Sequence, residues 1–109
     1  MITNQQIQEV TNIIVHEVQP SKVFLFGSYA TAAQDEDSDV DFIVIVDKKM
    51  EKSKRINETV NLNLKTALPN LLFPKDFKLY TAEEYKKLSG IRSSLLYSAL
   101  QNSKLLYER

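Results

Sequence analysis

Near the start of the chain, apolar residues recur at the spacing of an α-helix. They stand three or four positions apart: Ile7, Val10, Ile14 and Val18. Residues at this spacing share one face of a helix. Thr3 and Gln6 form the pattern of a capping box at its start, and Pro20 marks its end. The pattern therefore predicts a first helix with one apolar face.

Three later segments have the patterns of β-strands. Residues 22–27 contain four consecutive apolar side chains and end at a glycine. Residues 39–46 are rich in β-branched side chains and become apolar on both faces, which is typical of a central strand. Residues 75–80 alternate, with Phe77 and Leu79 on one side. The other side of this third segment carries Asp76, Lys78 and Tyr80.

Helical patterns also follow the second and third strands. Residues 50–68 place apolar side chains on one face: Ile56, Val60, Leu64, Ala67 and Leu68. Thr81 and Glu84 form a second capping box, which predicts a helix to about residue 88. A last helix is predicted over residues 92–102. The order predicts an α/β fold, in which helices on one face cover a small mixed sheet of three strands or slightly more. We expect a single domain over residues 1–109.

Composition removes several classes of chemistry. The chain has no cysteine, which excludes disulfides, cysteine-based metal centres and cysteine nucleophiles. It has one histidine, His16, so a metal site built from several histidines is excluded as well. Its 14 basic and 14 acidic residues balance, so general binding to nucleic acid is not expected. No apolar run approaches the length that spans a membrane. No secretory leader pattern is visible, so we expect a cytoplasmic location and no membrane partner.

Acidic residues are concentrated just before and inside the second strand. Five of the seven residues at 35–41 are acidic. The first three, Asp35 to Asp37, fit a solvated loop. Asp39 and Asp41 are two apart on a strand, so both side chains lie on one face and could converge on divalent cations. Oxygen ligands suit Mg²⁺. A calcium loop is excluded because Val40 and Val46 stand where that loop needs glycine and glutamate.

Gly27 and Ser28 form a candidate phosphate-binding turn. They stand between the first strand and a short predicted helix, where a glycine permits close backbone approach and helix-start N–H groups favour phosphate. An ordinary capped turn is the alternative for this pair alone. The sequence contains neither the P-loop pattern nor the Gly-x-Gly-x-x-Gly pattern of dinucleotide-binding folds.

Taken together, these motifs resemble a known family. One pattern in the chain is similar to the signature of the DNA polymerase β-like nucleotidyltransferases: Gly27-Ser28, a spacer of ten residues, and then Asp39-Val40-Asp41 before a strand. The chain most resembles the minimal nucleotidyltransferase (MNT) group, the antitoxin partners of HEPN-domain toxins. Pro74-Lys75-Asp76 before a Thr-capped helix matches the context of that family's third carboxylate. The sequence departs from the family at Ala32, where a glycine is usual.

The resemblance implies a site and a reaction. Asp39, Asp41 and Asp76 would be the catalytic, metal-binding carboxylates for two Mg²⁺ ions, and Gly27 and Ser28 would bind the phosphates of ATP. The implied reaction moves AMP from ATP to a hydroxyl, expected to be a tyrosine, of a HEPN toxin that forms a hetero-oligomer with the chain. Two alternatives stay open: transfer to a small hydroxylated molecule such as an aminoglycoside, and a catalytically silent antitoxin that acts by binding alone.

Overall fold

A computed structural model of the chain describes residues 2–26 and 40–109. Its helices are α1 (Asn4–Val18), α2 (Lys52–Lys65), α3 (Ala82–Leu88) and α4 (Leu95–Gln101), and a 3₁₀ turn covers Pro69–Leu71. Its strands are β1 (Lys22–Phe26), β2 (Val40–Val46), β3 (Lys75–Thr81) and β4 (Ser103–Glu108). The predicted helices and strands are therefore present wherever residues are described. The short helix predicted after Ser28 lies outside the described residues.

The described strands form one mixed sheet in the order β3-β2-β1-β4. β2 pairs with β3 in parallel, whereas β1 pairs with both β2 and β4 in antiparallel fashion. β4 is an addition to the three predicted strands. Its side chains show no clean alternation of burial, because it lies at an edge of the sheet and pairs only with β1 in the described part of the chain. This explains why its hydrophobic pattern gave no strand signal.

One face of the sheet packs against α1 and α2. Apolar side chains from these two helices and from alternate positions of three strands share a buried cluster: Ile7, Val10, Ile14, Leu62, Val23, Leu25, Val40, Phe42, Val44, Val46, Phe77 and Leu79. The alternation predicted for β3 is confirmed, since Phe77 and Leu79 are both in this cluster. Phe42 and Phe77 also stack, with ring centroids 5.5 Å apart.

The other face of the sheet is covered too, so the prediction of helices on one face is wrong. Ile43 and Ile45 of β2 form a second buried cluster with Leu96 of α4, against which side chains of β1 and α3 pack. The physical reason is visible in β2 itself. A strand that is apolar on both faces needs cover on both faces, and the two seven-residue helices α3 and α4 supply it.

The apolar face of α2 points away from the core. Ile56, Val60 and Leu64 are 53%, 49% and 68% exposed, while Leu62 is completely buried. Leu68 and Leu72, beyond the end of the helix, are exposed as well. An apolar helix face normally faces the core. Here a single leucine anchors α2, and we call the exposed set Ile56, Val60, Leu64, Leu68 and Leu72 the α2 stripe.

Both predicted capping boxes are confirmed. The Thr3 hydroxyl accepts a hydrogen bond from the Gln6 N–H, and the Gln6 side chain accepts from the Thr3 N–H. Thr81 and Glu84 make the same reciprocal pair at the start of α3. In the described ranges no helix combines the length and the apolar character needed to cross a membrane.

Candidate active site

Two of the predicted carboxylates lie side by side where β2 and β3 begin. These strands are parallel, and the Cα atoms of Asp41 and Asp76 are direct partners in the register. Adjacent strands lie about 4.8 Å apart, and partners in register project to the same face. Both side chains are therefore on the face that α3 and α4 cover further along. The Asp76 side chain is 55% exposed, so solvent reaches this end of the sheet.

Hydrophobic alternation fixes the direction of both carboxylates. Val40 and Phe42 flank Asp41 and are fully buried against the helices of the first face. Phe77 follows Asp76 and is buried on that same side. Because neighbours along a strand project to opposite faces, burying these apolar side chains turns Asp41 and Asp76 to the other side. The hydrophobic core thus positions the acidic pair.

The remaining candidate residues lie on the connection that reaches this end of the sheet. β1 ends at Phe26, whose Cα is the register partner of Asp41, and β2 begins at Val40. Residues 27–39 join these two points. Gly27, Ser28 and Asp39 belong to this connection and lie outside the described residues, as does Ala32. Their predicted roles remain predictions.

Lys78 lies beside the carboxylate pair. Its Nζ atom is 3.1 Å from Oδ2 of Asp76. The hydrogen bond to Asp76 raises the pKa of Lys78 against the lowering effect of partial burial, and the charges of Asp76 and Asp41 add to the rise. The side chain is thus a cation at neutral pH that two carboxylates attract. The alternating pattern of β3 put Lys78 on the side of Asp76, but only the structure shows that the two groups touch.

Part of a metal-binding set is present in the described residues. Asp41 and Asp76 supply carboxylate oxygens on one face, which is the donor type that Mg²⁺ prefers and that waters and substrate phosphates complete. Within residues 2–26 and 40–109, no group of three or more metal-ligating side chains is clustered. The third predicted carboxylate, Asp39, is outside these ranges. The described pair therefore fits a magnesium ion as two of its ligands.

The basic residues at the start of α2 belong to the other end of β3. This run contains Lys48, Lys49, Lys52, Lys54 and Arg55. Arg55 binds Glu84 of α3, with Nη2 2.9 Å from Oε1, and it also donates to the Met50 carbonyl. Arg55 thus contacts α3 where β3 ends, and it also lines a groove between α2 and β3 together with Lys78. It links the layers on opposite sides of the sheet, and its part in the fold is structural.

Comparison with known proteins identifies the family. The family model named polymerase beta, nucleotidyltransferase, matches residues 8–109. The chain therefore belongs to the polymerase beta nucleotidyltransferase family. A comparison with curated protein sequences gives no match.

Solved structures share the fold at low sequence identity. A protein from Sulfolobus solfataricus assigned as a nucleotidyltransferase is 15% identical, with a TM-score of 0.64, and the match covers 96% of this chain and 79% of that one. A toxin–antitoxin complex with AMP-PNP is 19% identical, with a TM-score of 0.57 and coverage of 94% and 73%. The tri-AMPylated HEPN toxin of Shewanella oneidensis in complex with its MNT antitoxin is also 19% identical, with a TM-score of 0.54 and coverage of 96% and 73%. These likenesses confirm the predicted polymerase β-like fold.

Proposed function

We propose that this chain is a Mg²⁺-dependent nucleotidyltransferase that moves AMP from ATP to a tyrosine hydroxyl of a HEPN-type toxin and so acts as its antitoxin. One observation carries the proposal: Asp41 and Asp76 lie side by side at a solvent-accessible end of the sheet in a chain of the nucleotidyltransferase family. The similar toxin–antitoxin complexes with AMP-PNP and with AMPylated toxin support the choice of ATP and of a toxin. We place the reaction in the cytoplasm, where ATP is available.

The proposed chemistry is an in-line displacement at phosphorus. The acceptor hydroxyl oxygen forms a bond to the α-phosphorus of ATP, the bond from that phosphorus to the α–β bridging oxygen breaks, and pyrophosphate leaves. Asp76 accepts the hydroxyl proton and passes it to solvent. Asp39 and Asp41 would hold both metal ions and Asp76 one of them, while Gly27 and Ser28 would bind the β- and γ-phosphates. Two Mg²⁺ ions, when bound, activate the attacking oxygen and stabilise the leaving one.

The α2 stripe supports the need for a protein partner. Ile56 and Val60 line a groove of about 400 Å³ between α2 and the edge strand β3, and Lys78 lines it too. The rest of α2 is polar, with five uncharged side chains, Ser53, Asn57, Thr59, Asn61 and Asn63, and five charged ones, Lys52, Lys54, Arg55, Glu58 and Lys65. An exposed apolar centre with a polar rim is typical of protein interfaces. A toxin that covers this groove would lie next to Asp76, where its hydroxyl could reach the carboxylates.

Intact-mass spectrometry of the co-expressed partner tests the proposal. The probe is a HEPN-type toxin co-expressed with this chain. Transfer replaces a proton by an adenylyl group, so we expect a gain of about 329 Da per AMP, dependent on added Mg²⁺. Asp41→Asn and Asp76→Asn should abolish the gain while thermal stability is retained. Asp47→Asn, at the far end of β2 where Asp47 pairs with Arg109, is the matched control and should leave it intact.

Other outcomes separate the alternatives. A partner that is neutralised without any mass change would overturn the transfer reaction and support inhibition by binding alone. Modification of an aminoglycoside by ATP and this chain, with the partner unchanged, would support the small-molecule alternative. Equal modification by the parent and by Asp41→Asn would remove the proposed role of Asp41.

A further inference from the structure

Lys78 occupies a position next to both described carboxylates of the candidate site. It follows Asp76 by two residues on β3, so the two side chains share a face. On β2 its register partner is Ile43, two residues beyond Asp41. The ammonium group is therefore bonded to Asp76 directly and is diagonal to Asp41, whose charge also acts on it.

We propose that Lys78 is the resident counter-ion of the acidic pair, which an incoming divalent cation must displace from Asp76. This inference rests on the proposed function, because it takes Asp41 and Asp76 as metal ligands. Lys78 is thereby a positioning residue for the Asp76 carboxylate. Before the metal binds, two carboxylates on adjacent strands would repel each other, and the ammonium group offsets that repulsion and holds Asp76 in one place.

The same contact makes metal binding weaker in the free chain. The Asp76 oxygen that accepts from Lys78 is engaged, and a nearby positive charge opposes a second cation. The pair is partly exposed, with 37% of the Lys78 side chain and 55% of the Asp76 side chain accessible, so solvent screens it and its energy is modest. We therefore expect removal of the ammonium group to raise metal affinity about two- to fivefold, which corresponds to about 0.4–1 kcal/mol at 1.4 kcal/mol per tenfold change.

The position of Lys78 in the groove beside α2 extends this role to the partner. Lys78 lines the groove together with Ile56 and Val60. A toxin seated there contacts the stem of this lysine and can favour its departure from Asp76. Metal affinity would then rise when the partner is bound, which would couple assembly of the complex to completion of the site.

Direct titration with Mn²⁺, followed by the loss of the free-ion electron paramagnetic resonance signal, tests the inference without any turnover. The variants are Lys78→Met, which keeps a long flexible stem without charge, and Lys78→Arg, which keeps the charge. Lys52→Met, on the exposed start of α2, controls for removal of a remote positive charge. We expect tighter binding by Lys78→Met alone, with near-parental affinity in Lys78→Arg and Lys52→Met.

The results distinguish failure of this inference from failure of the proposed function. If Asp41→Asn and Asp76→Asn lose Mn²⁺ binding but Lys78→Met binds no more tightly than the parent, the metal site stands and the counter-ion role is overturned. If the parent, Lys78→Met and the aspartate variants all bind Mn²⁺ equally or not at all, both are overturned. Equal gains in Lys78→Met and Lys52→Met would show a general charge effect and would also overturn the specific role of Lys78.

Discussion

Replacing each of two leucines on α2 by alanine should produce very different losses of stability. Leu62 is completely buried in the cluster between α1, α2 and the sheet, whereas Leu64, two residues later, is 68% exposed. A buried Leu→Ala change costs about 2–5 kcal/mol, since apolar contact is lost and a cavity remains. An exposed change away from special features usually costs less than about 0.5 kcal/mol.

These energies convert into a measurable difference in melting temperature. Unfolding entropy is about 2.1 cal/mol/K per residue, which for 109 residues gives about 0.23 kcal/mol/K. Leu62→Ala should therefore lower Tm by roughly 9–22 °C, and Leu64→Ala by no more than about 2 °C. The measurement is thermal unfolding of the partner-free chain followed by circular dichroism. Both variants have the same residue type on the same helix, so helix propensity cancels between them.

The result bears directly on how α2 is rotated about its axis. If Leu64→Ala costs as much as Leu62→Ala, the face that carries Ile56, Val60 and Leu64 faces the core, as its periodicity alone suggests. The α2 stripe would then not be available to a partner.

Two further predictions concern the layers around the site. Partial burial alone would raise the pKa of Glu84, but hydrogen bonds from Thr81 and Arg55 and the positive charge of Arg55 outweigh that effect and lower the pKa. The ionised Glu84 side chain therefore stabilises the fold above its unfolded pKa of 4.5. This stabilisation is lost as pH falls through the folded pKa. Glu84→Gln should therefore lower Tm at pH 7, and this loss should shrink as pH is lowered below 4.5; a loss that does not change with pH would contradict the ion pair. In co-purification with the partner, Val60→Lys should reduce the amount of bound toxin, whereas Gln5→Lys on exposed α1 should not; full retention by Val60→Lys would place the docking surface elsewhere.

Local chemistry made part of this fold predictable from sequence. The hydroxyls of Thr3 and Thr81 satisfy the first free N–H groups of their helices, and that interaction depends only on residues three apart. The alternation of β3 likewise follows from burial of Phe77 and Leu79. β4 was missed because an edge strand with one neighbour needs no regular alternation. The helices α3 and α4 were predicted but their side of the sheet was not, because that side depends on contacts between residues far apart in sequence, such as Leu96 with Ile43 and Ile45.

The sequence predicted candidate site residues but not how any of them pair. The spacing of Asp39 and Asp41 predicts a common face on one strand, although Asp39 lies outside the described residues, and Asp76 was predicted from its motif context. That Asp41 and Asp76 are direct neighbours depends on the register between β2 and β3, which is set by contacts between residues far apart in sequence. The contact between Lys78 and Asp76 depends on a side-chain conformation, so spacing alone could not establish it.

The position of β4 also determines which backbone edge the protein exposes. β1 contains the run Val23-Phe24-Leu25-Phe26, a short apolar segment without proline or charge of the kind that pairs with other chains when its edge is open. Pairing with β4 places this segment inside the sheet and leaves at the edge a strand that carries Lys104 and Glu108. Charged edge strands resist aggregation. β4 therefore protects the chain's solubility, and its loss would open β1 to intermolecular pairing while leaving the Asp41–Asp76 pair, on the far side of the sheet, in place.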